Sequence, residues 1–356
     1  VWVPQALPDA PFAFAGVDNS KGLAFVITSE SPWFNRLKGE RDSLLRPYIS
    51  GDDITSTALT RIERWALDIG DLNLNVIAQR WPLAHQFLHE EVKPTRTPEA
   101  LKSYKGLIDV WWQFPRNRAD LMRRLRRNEK FIGYSKNTKY SFGMLAPSDW
   151  IYTNKVLLIG MERDDLYAIS LSTGFRAWLE KFSGGNLGET LSLSISESIA
   201  KYPVPEQRVA STGIEAAAQF NRLAVEFSAA HCGGLTDVMN AIHFPDGADT
   251  TIIELRRLLS VIDAEIAAAY GWNDADVAYD FRAYDGGSAN DKWRWALSAD
   301  ITVDLLGRLT ALNRERFEAA ASTNGEAPIS MKSKRGRRSK AESSILLNDL
   351  FTGESS

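Results

Sequence analysis

The alternation of hydrophobic and polar positions is clearest between Phe175 and Pro205. Four large apolar residues recur there at helical spacing and form one face: Phe175, Trp178, Leu179 and Phe182. Gly184 and Gly185 end this predicted helix, and the following LSLSIS alternates apolar and hydroxyl side chains as a half-buried strand does. The sequence therefore predicts a helix, a glycine turn and a strand, closed by the stiff exit Tyr202-Pro203-Val204-Pro205.

Shorter patterns predict the elements that precede this segment. Apolar runs predict strands at 12–16, 22–28 and 64–70. Polar and amphipathic patterns predict helices at 31–45 and 77–94. Residues 150–172 are predicted as a strand, a turn at 162–165, and the start of a strand or helix.

The composition changes after Pro205. Residues 206–270 are alanine-rich and helical, and a last helix is predicted at 300–320. Beyond residue 322 the chain is polar and includes the basic run KSKRGRRSK at 332–340, which is typical of disorder. The predicted fold class is α+β: a mixed α/β domain at 1–205, a helical support domain at 206–322 and a flexible basic tail at 323–356.

Composition limits the class of protein. Of the 356 residues 44% are hydrophobic and eleven are Trp, which is ample for a globular core. The single cysteine, Cys232, cannot form an internal disulfide and suits a reducing, cytoplasmic compartment. No apolar run approaches about 18 residues, so no membrane partner is expected. A chain that begins with Val1 suggests a fragment of a longer protein.

The net charge of −3 argues against a generally basic nucleic-acid binder, but the cations are unevenly placed. Residues 109–142 contain only three acids, against these nine cations: Arg116, Arg118, Arg123, Arg124, Arg126, Arg127, Lys130, Lys136 and Lys139. With Trp111, Trp112, Tyr134 and Tyr140 nearby, the block suits phosphate contact and base stacking. The alternative is a solvated basic helix face that pairs with acids elsewhere in the chain.

Side chains able to hydrogen-bond the edge of a partner lie between the predicted helix and strand: Asn186, Glu189, Thr190 and Ser192. The alternative is an ordinary helix–turn–strand. His85 and His89 share one helix face, but Gln86 occupies the position where a zinc-protease helix has its general base. Asp52 and Asp53 lack a third ligand in sequence and are predicted to cap a turn. No catalytic residue and no metal site is predicted, so the chain is interpreted as a recognition module.

Several motifs in order resemble one protein family. Pro47-Tyr48-Ile49-Ser50-Gly51-Asp52-Asp53 is followed by Trp65-Ala66-Leu67-Asp68, by Val92-Lys93-Pro94-Thr95-Arg96 and by Trp111-Trp112. The later matches are Leu235-Thr236-Asp237, Ala269-Tyr270-Gly271-Trp272 and the segment 308–316. Over about residues 12–320, the chain resembles the region after the catalytic domain of single-chain type II (IIG and IIL) restriction–modification enzymes. Adenine methyltransferases of phage-defence systems of the BREX and DISARM type resemble it too.

The resemblance implies a target-recognition domain with helical support. In the family, a preceding domain binds S-adenosylmethionine and methylates adenine N6 through an Asn-Pro-Pro-Tyr/Phe motif. No Asn-Pro-Pro occurs in this sequence. The implied partners are double-stranded DNA and an N-terminal methyltransferase domain of the same parent chain, with S-adenosylmethionine bound by the parent and no cofactor bound by this chain.

On this interpretation the candidate residues have two roles. Phosphates would be contacted by Arg116, Arg118, Lys136 and Lys139. Base edges would be read by Asn186, Glu189, Thr190 and Ser192. Two other interpretations stay open: a type I-like specificity subunit acting in trans, and a protein-interaction scaffold without a DNA role.

Overall fold

A four-stranded antiparallel sheet forms the centre of the molecule. Its strands are β1 (Ala13–Ala15), β5 (Lys130–Ser135), β7 (Met144–Pro147) and β9 (Val156–Gly160), in the order β1-β9-β5-β7. Every residue of β9 is buried, as expected for a continuous apolar run in the middle of a sheet. Ile132 of β5 pairs with Ile159 of β9.

This computed structural model describes residues 2–323 apart from 19, 21, 59, 185, 188–189, 247–248 and 285–291. The basic run at 332–340 therefore lies outside the described residues. The chain divides into two units, residues 1–317 and 318–356, and of the second the structure describes only the end of the last helix. No helix in the described ranges combines the length and apolarity that a membrane span requires.

A second sheet lies earlier in the chain. It contains β2 (Ile27–Thr28), β3 (Leu45–Ile49), β4 (Arg64–Leu67) and β8 (Ile151–Tyr152), in the order β2-β4-β3-β8. β3 and β8 run parallel, and the other pairs are antiparallel. The strands predicted near residues 12–16 and 64–70 are confirmed. The segment 22–28 differs, because Leu23–Phe25 forms a 3₁₀ turn and only Ile27–Thr28 is strand.

Two smaller sheets complete the β-structure of the described residues. One contains β6 (Asn137–Thr138), β10 (Asn186–Leu187) and β11 (Thr190–Ser192), in the order β10-β11-β6. The other is a hairpin of β12 (Asp280–Ala283) and β13 (Trp293–Ala296).

The helices surround these sheets. Their bounds are α1 (Pro32–Lys38), α2 (Gly51–Ser56), α3 (Leu74–Arg80), α4 (Pro82–Phe87), α5 (Ala119–Leu125), α6 (Leu166–Leu171), α7 (Thr173–Phe182), α8 (Ser211–Ala230), α9 (Leu235–His243), α10 (Thr250–Ala269) and α11 (Ala299–Thr323). The single helix predicted at 77–94 is divided at Trp81, because Pro82 lacks the N–H that would continue the hydrogen-bond ladder. The predicted helices of the alanine-rich segment are confirmed as α8, α9 and α10.

The described residues form two hydrophobic clusters. The larger contains the central sheet and residues of α6 to α10, and the smaller contains the second sheet with α1, α3 and α4. Residues on both sides of position 206 contribute to the larger cluster, for example Phe175 and Phe220. The α+β class is confirmed, and the domain boundary at residue 206 stays a prediction.

Candidate nucleic-acid interface

The small sheet β10-β11-β6 brings together two segments that are about 50 residues apart in sequence. Leu191 of β11 pairs with Thr138 of β6, and Ser192 pairs with Asn137. Lys136 and Lys139 directly flank β6. The sheet therefore places two predicted phosphate contacts beside the predicted base-reading strand.

Strand alternation divides this sheet into an inner and an outer face. Leu191 packs against the larger hydrophobic cluster and its partner Thr138 is buried, so this pair faces the core. Because successive side chains point to opposite faces, Thr190, Ser192 and Asn137 face away from the core. Asn137 is exposed and the two hydroxyl residues are half-buried. The outer face thus presents an amide and two hydroxyls to a partner.

The backbone around Lys136 is held on both sides. Its N–H donates to the Lys155 carbonyl at 2.7 Å, and its carbonyl accepts from Leu193 N–H at 2.8 Å. The Ser135 hydroxyl donates to the Asn137 carbonyl at 2.8 Å. Since Lys136 is exposed, the fixed backbone presents its charge to solvent, which suits contact with a phosphate.

Helix α7 is joined to the segment that follows strand β11. The Ser172 hydroxyl accepts from Phe175 N–H and caps the helix. Trp178 is fully buried and its indole Nε1 donates to the Ser198 carbonyl at 3.0 Å. Tyr202 packs edge-on against Phe175 with ring centroids 4.6 Å apart. The predicted strand is shorter than LSLSIS, because only Thr190–Ser192 pairs with a neighbour.

Lys139 and Tyr140 are fastened to helix α9. The side-chain oxygen of Asn240 accepts from the Tyr140 hydroxyl at 2.8 Å and from Lys139 Nζ at 3.2 Å. The Lys139 ammonium also lies 5.0 Å from the centre of the Tyr140 ring. Asn240 therefore positions the turn that follows β6 from a part of the chain about 100 residues away.

Arg116 and Arg118 lie elsewhere. They line a cleft of about 710 Å³ together with Tyr104 and Asn117, and no residue of the small sheet lines it. Arg118 precedes α5 with a left-handed backbone, φ 56°. The structure thus separates the four predicted phosphate contacts into two places.

A carboxylate lies close to Arg116. Burial raises the pKa of Asp18. Hydrogen bonds from Ser20 and Tyr104 and the charge of Arg116 together lower the pKa by more than burial raises it, so it lies below its usual range. Asp18 is therefore charged at neutral pH and offsets part of the charge of Arg116. The small sheet is the better candidate for an anionic partner.

Other arginines of the basic block are in ion pairs with acids that are distant in sequence. Arg124 makes a bidentate contact with Glu162 at 2.6 and 2.7 Å, and Arg126 contacts Asp68 at 2.7 Å. Arg123 bonds Asp71 at 3.0 Å. The alternative interpretation of the block, pairing with acidic neighbours, is correct for these three residues. The block is also not one helix, because α5 ends at Leu125 and β5 begins at Lys130.

The structure does not describe the side chains of two predicted base-reading residues. Glu189 lies outside the described residues, and of Asn186 the structure describes only the backbone, in β10. Asn137 and Asn240 are not among the residues predicted from the sequence. Alternation in LSLSIS indicated an outward strand face, but the identity of the partner strand depends on long-range pairing.

Two further sequence interpretations concern metal sites. The rings of His85 and His89 lie 4.5 Å apart, and His89 packs edge-on against Trp111. Within the described ranges, no group of three or more His, Cys, Asp and Glu side chains could hold a metal ion. The capping role predicted near Gly51 is confirmed for Asp53, whose carboxylate accepts from Ser50 N–H at 2.6 Å.

Comparisons with known proteins show similarity in fold alone. No protein-family model matches the chain, and no curated protein matches its sequence. Among solved structures, the chain is similar to the Type IIL restriction-modification enzyme MmeI in complex with DNA. The TM-score is 0.53 at 13% identity, and the match covers 88% of this chain and 36% of that one. The chain therefore has the fold of a segment that makes up about a third of that enzyme.

Proposed function

We propose that this chain is the DNA-recognition region of an adenine-N6 DNA methyltransferase from a restriction–modification or phage-defence system. Methyl transfer would be carried by an upstream domain that binds S-adenosylmethionine. The observation that carries the proposal is the small sheet, where Lys136 and Lys139 flank the strand that presents Asn137 opposite Ser192. The fold similarity to a restriction-modification enzyme solved with DNA supports it.

The outer face of the sheet has the chemistry that base reading requires. A side-chain amide such as that of Asn137 can pair with N6 and N7 of adenine, and the hydroxyls of Thr190 and Ser192 can donate or accept. Lysine heads beside them would neutralise phosphates and fix the register without reading sequence. The recognition region would hold the duplex while the upstream domain extrudes the adenine for methylation.

Selection of bound duplexes from a randomised DNA pool tests the proposal directly. We expect the chain to enrich one short motif, and Asn137→Ala or Ser192→Ala to relax one position of it at a cost of about 1–3 kcal/mol. Lys136→Gln should weaken binding to all sequences alike and reduce the slope of log K against log salt by about 0.9.

Lys130→Gln is the matched control for Lys136→Gln, because Lys130 is an exposed lysine at the other end of β5. Binding that is insensitive to salt, or absent, would contradict the proposal and favour a protein-interaction scaffold. A motif that survives both Asn137→Ala and Ser192→Ala unchanged would show that another surface reads the bases.

A further inference from the structure

The hairpin of β12 and β13 has two chemically different faces. Phe281 pairs with Trp295, and Arg282 pairs with Arg294. Trp295 packs against the larger hydrophobic cluster, so the arginines lie on the opposite face. Lys292, two residues before Arg294, shares their face. The tip at 285–291, which contains Asp285 and Asp291, lies outside the described residues.

The inner face of the hairpin is anchored to α9 and α10. The buried guanidinium of Arg256 lies 4.7 Å from the Phe281 ring centre and donates to the Ile242 carbonyl at 2.9 Å. Trp295 N–H donates to Nδ1 of His243 at 3.0 Å, so that nitrogen is an acceptor. These contacts fasten the base of the ribbon to the end of α9.

Helix α9 also holds the candidate interface, which fixes the hairpin relative to the small sheet. Asn240 bonds Lys139 and Tyr140, and His243, one helical turn later, bonds the hairpin. The guanidinium of Arg294 lies 5.4 Å from the Tyr140 ring centre and 3.8 Å from that of Tyr284. The cationic face of the hairpin therefore continues the surface that begins at Lys139.

We propose that this hairpin is a second DNA-contacting element, in which Arg282, Lys292 and Arg294 contact the sugar–phosphate backbone beside the bases that the small sheet reads. The inference rests on the proposed function and adds a partner surface to it. A two-stranded antiparallel ribbon has dimensions that a DNA groove accepts. Lys292 is exposed, and Arg282 and Arg294 are half-buried.

An exposed aromatic side chain on this face fits the same partner. Tyr284, two residues after Arg282 and therefore on the same face, is 41% exposed. The guanidinium of Arg294 lies over the Tyr284 ring and donates from Nη1 to the Trp293 carbonyl at 2.9 Å, so it is held in place on this face. Arginine that stacks on aromatic rings is the residue type favoured for phosphate and nucleic-acid recognition. These features would let the ribbon contact the backbone without reading the sequence.

The test measures the salt dependence of duplex binding by the whole chain carrying Arg282→Gln and Arg294→Gln together. We expect binding at 100 mM salt to weaken by about tenfold to a hundredfold and the slope of log K against log salt to fall by about 1–2. The selected motif should stay the same, because phosphate contacts carry no sequence information. The double variant Arg282→Lys and Arg294→Lys should retain most of the slope, since it keeps both charges.

Arg41→Gln with Lys102→Gln is the matched control, because both side chains are exposed and the change in charge is the same. A wild-type slope in the Arg282→Gln/Arg294→Gln protein would overturn the inference and leave the proposed function standing. Equal loss in the lysine variant would overturn it too, because charge would then not be the cause. A wild-type chain that binds no duplex would refute the proposed function itself.

Discussion

Asp165, which lies just after β9, binds the segment that leads into α8. Its side chain is fully buried, and its carboxylate accepts from the Arg163 guanidinium at 2.9 and 2.7 Å and from Val209 N–H at 3.0 Å. Burial raises the pKa of Asp165. The hydrogen bonds from Arg163 and Val209 together lower the pKa by more than burial raises it, so it lies below the ordinary value of 3.8. A carboxyl with a lower pKa in the folded state stabilises the fold above pH 3.8 and loses that contribution as the pH falls further.

We expect Asp165→Asn to lower the free energy of unfolding at pH 7 by about 3 kcal/mol, because it leaves the half-buried Arg163 without its anion. Urea denaturation measures this. Asp164→Asn is the control: Asp164 is 77% exposed and pairs with Arg208, so the loss should stay below about 1 kcal/mol. The difference in free energy of unfolding between wild type and Asp165→Asn should narrow as the pH falls below 3.8. A constant difference over that range would rule out the carboxylate as its source.

At the scale of elements, the central sheet and the second sheet meet where the backbone at Gly16 and Val17 contacts the backbone between β8 and β9. Gly16 directly follows β1, and its N–H donates to the Val156 carbonyl at 3.0 Å. Val17 then forms a parallel bridge with Thr153, which directly follows β8. The two sheets are therefore in contact at Gly16, where the neighbouring backbone leaves no room for a side chain.

Gly16→Ala should destabilise the protein by about 1–3 kcal/mol, because its Cβ would lie closer than 3.0 Å to the carbonyl oxygens of Tyr152 and Thr153. Gly307→Ala is the control within a helix. Apart from the two neighbouring residues and the backbone of the helix itself, no described heavy atom would lie within 4 Å of a Cβ at Gly307, so this change should stabilise by about 0.5–1 kcal/mol. Thermal unfolding of the two variants measures the contrast, and a neutral Gly16→Ala would mean that this contact can widen.

For the molecule as a whole, Asn313 of α11 joins parts of the chain that are far apart in sequence. It is fully buried and accepts from Trp2 Nε1 and Gln5 N–H at 3.0 Å each. Its amide donates to the carbonyls of Gln5 and Lys201 at 2.8 Å each. All four hydrogen bonds of this one side chain are therefore used to hold the first residues and the exit of the recognition segment against α11.

Asn313→Ala should cost about 3 kcal/mol, because several buried groups would lose their partners together. Hydrogen exchange should accelerate first at residues 2–9, since this segment depends most on α11. Glu315→Ala, an exposed position two residues further along the helix, should change neither stability nor exchange. Unchanged exchange at residues 2–9 in Asn313→Ala would show that other contacts, such as Arg316 with Asp9, suffice.

The sequence by itself determined α7, the helices after Pro205 and the class of the fold. Helical periodicity and caps are local, which is why α7, with its Ser172 cap, and the helices after Pro205 could be predicted within a few residues. The alternating WRWA of β13 was also a strand signal, and with the preceding DFRAY it would have predicted the hairpin.

Only the tertiary structure decided which strands pair and which cationic side chains form ion pairs with carboxylates of the same chain. Asn137 lies opposite Ser192, and Asn240 holds Lys139, through contacts that span about 50 to 100 residues. Arg123 pairs with Asp71, 52 residues away, and Arg124 pairs with Glu162, 38 residues away. Periodicity reports which face of an element is buried, but not which distant element covers it, because pairing depends on the energy of the whole fold.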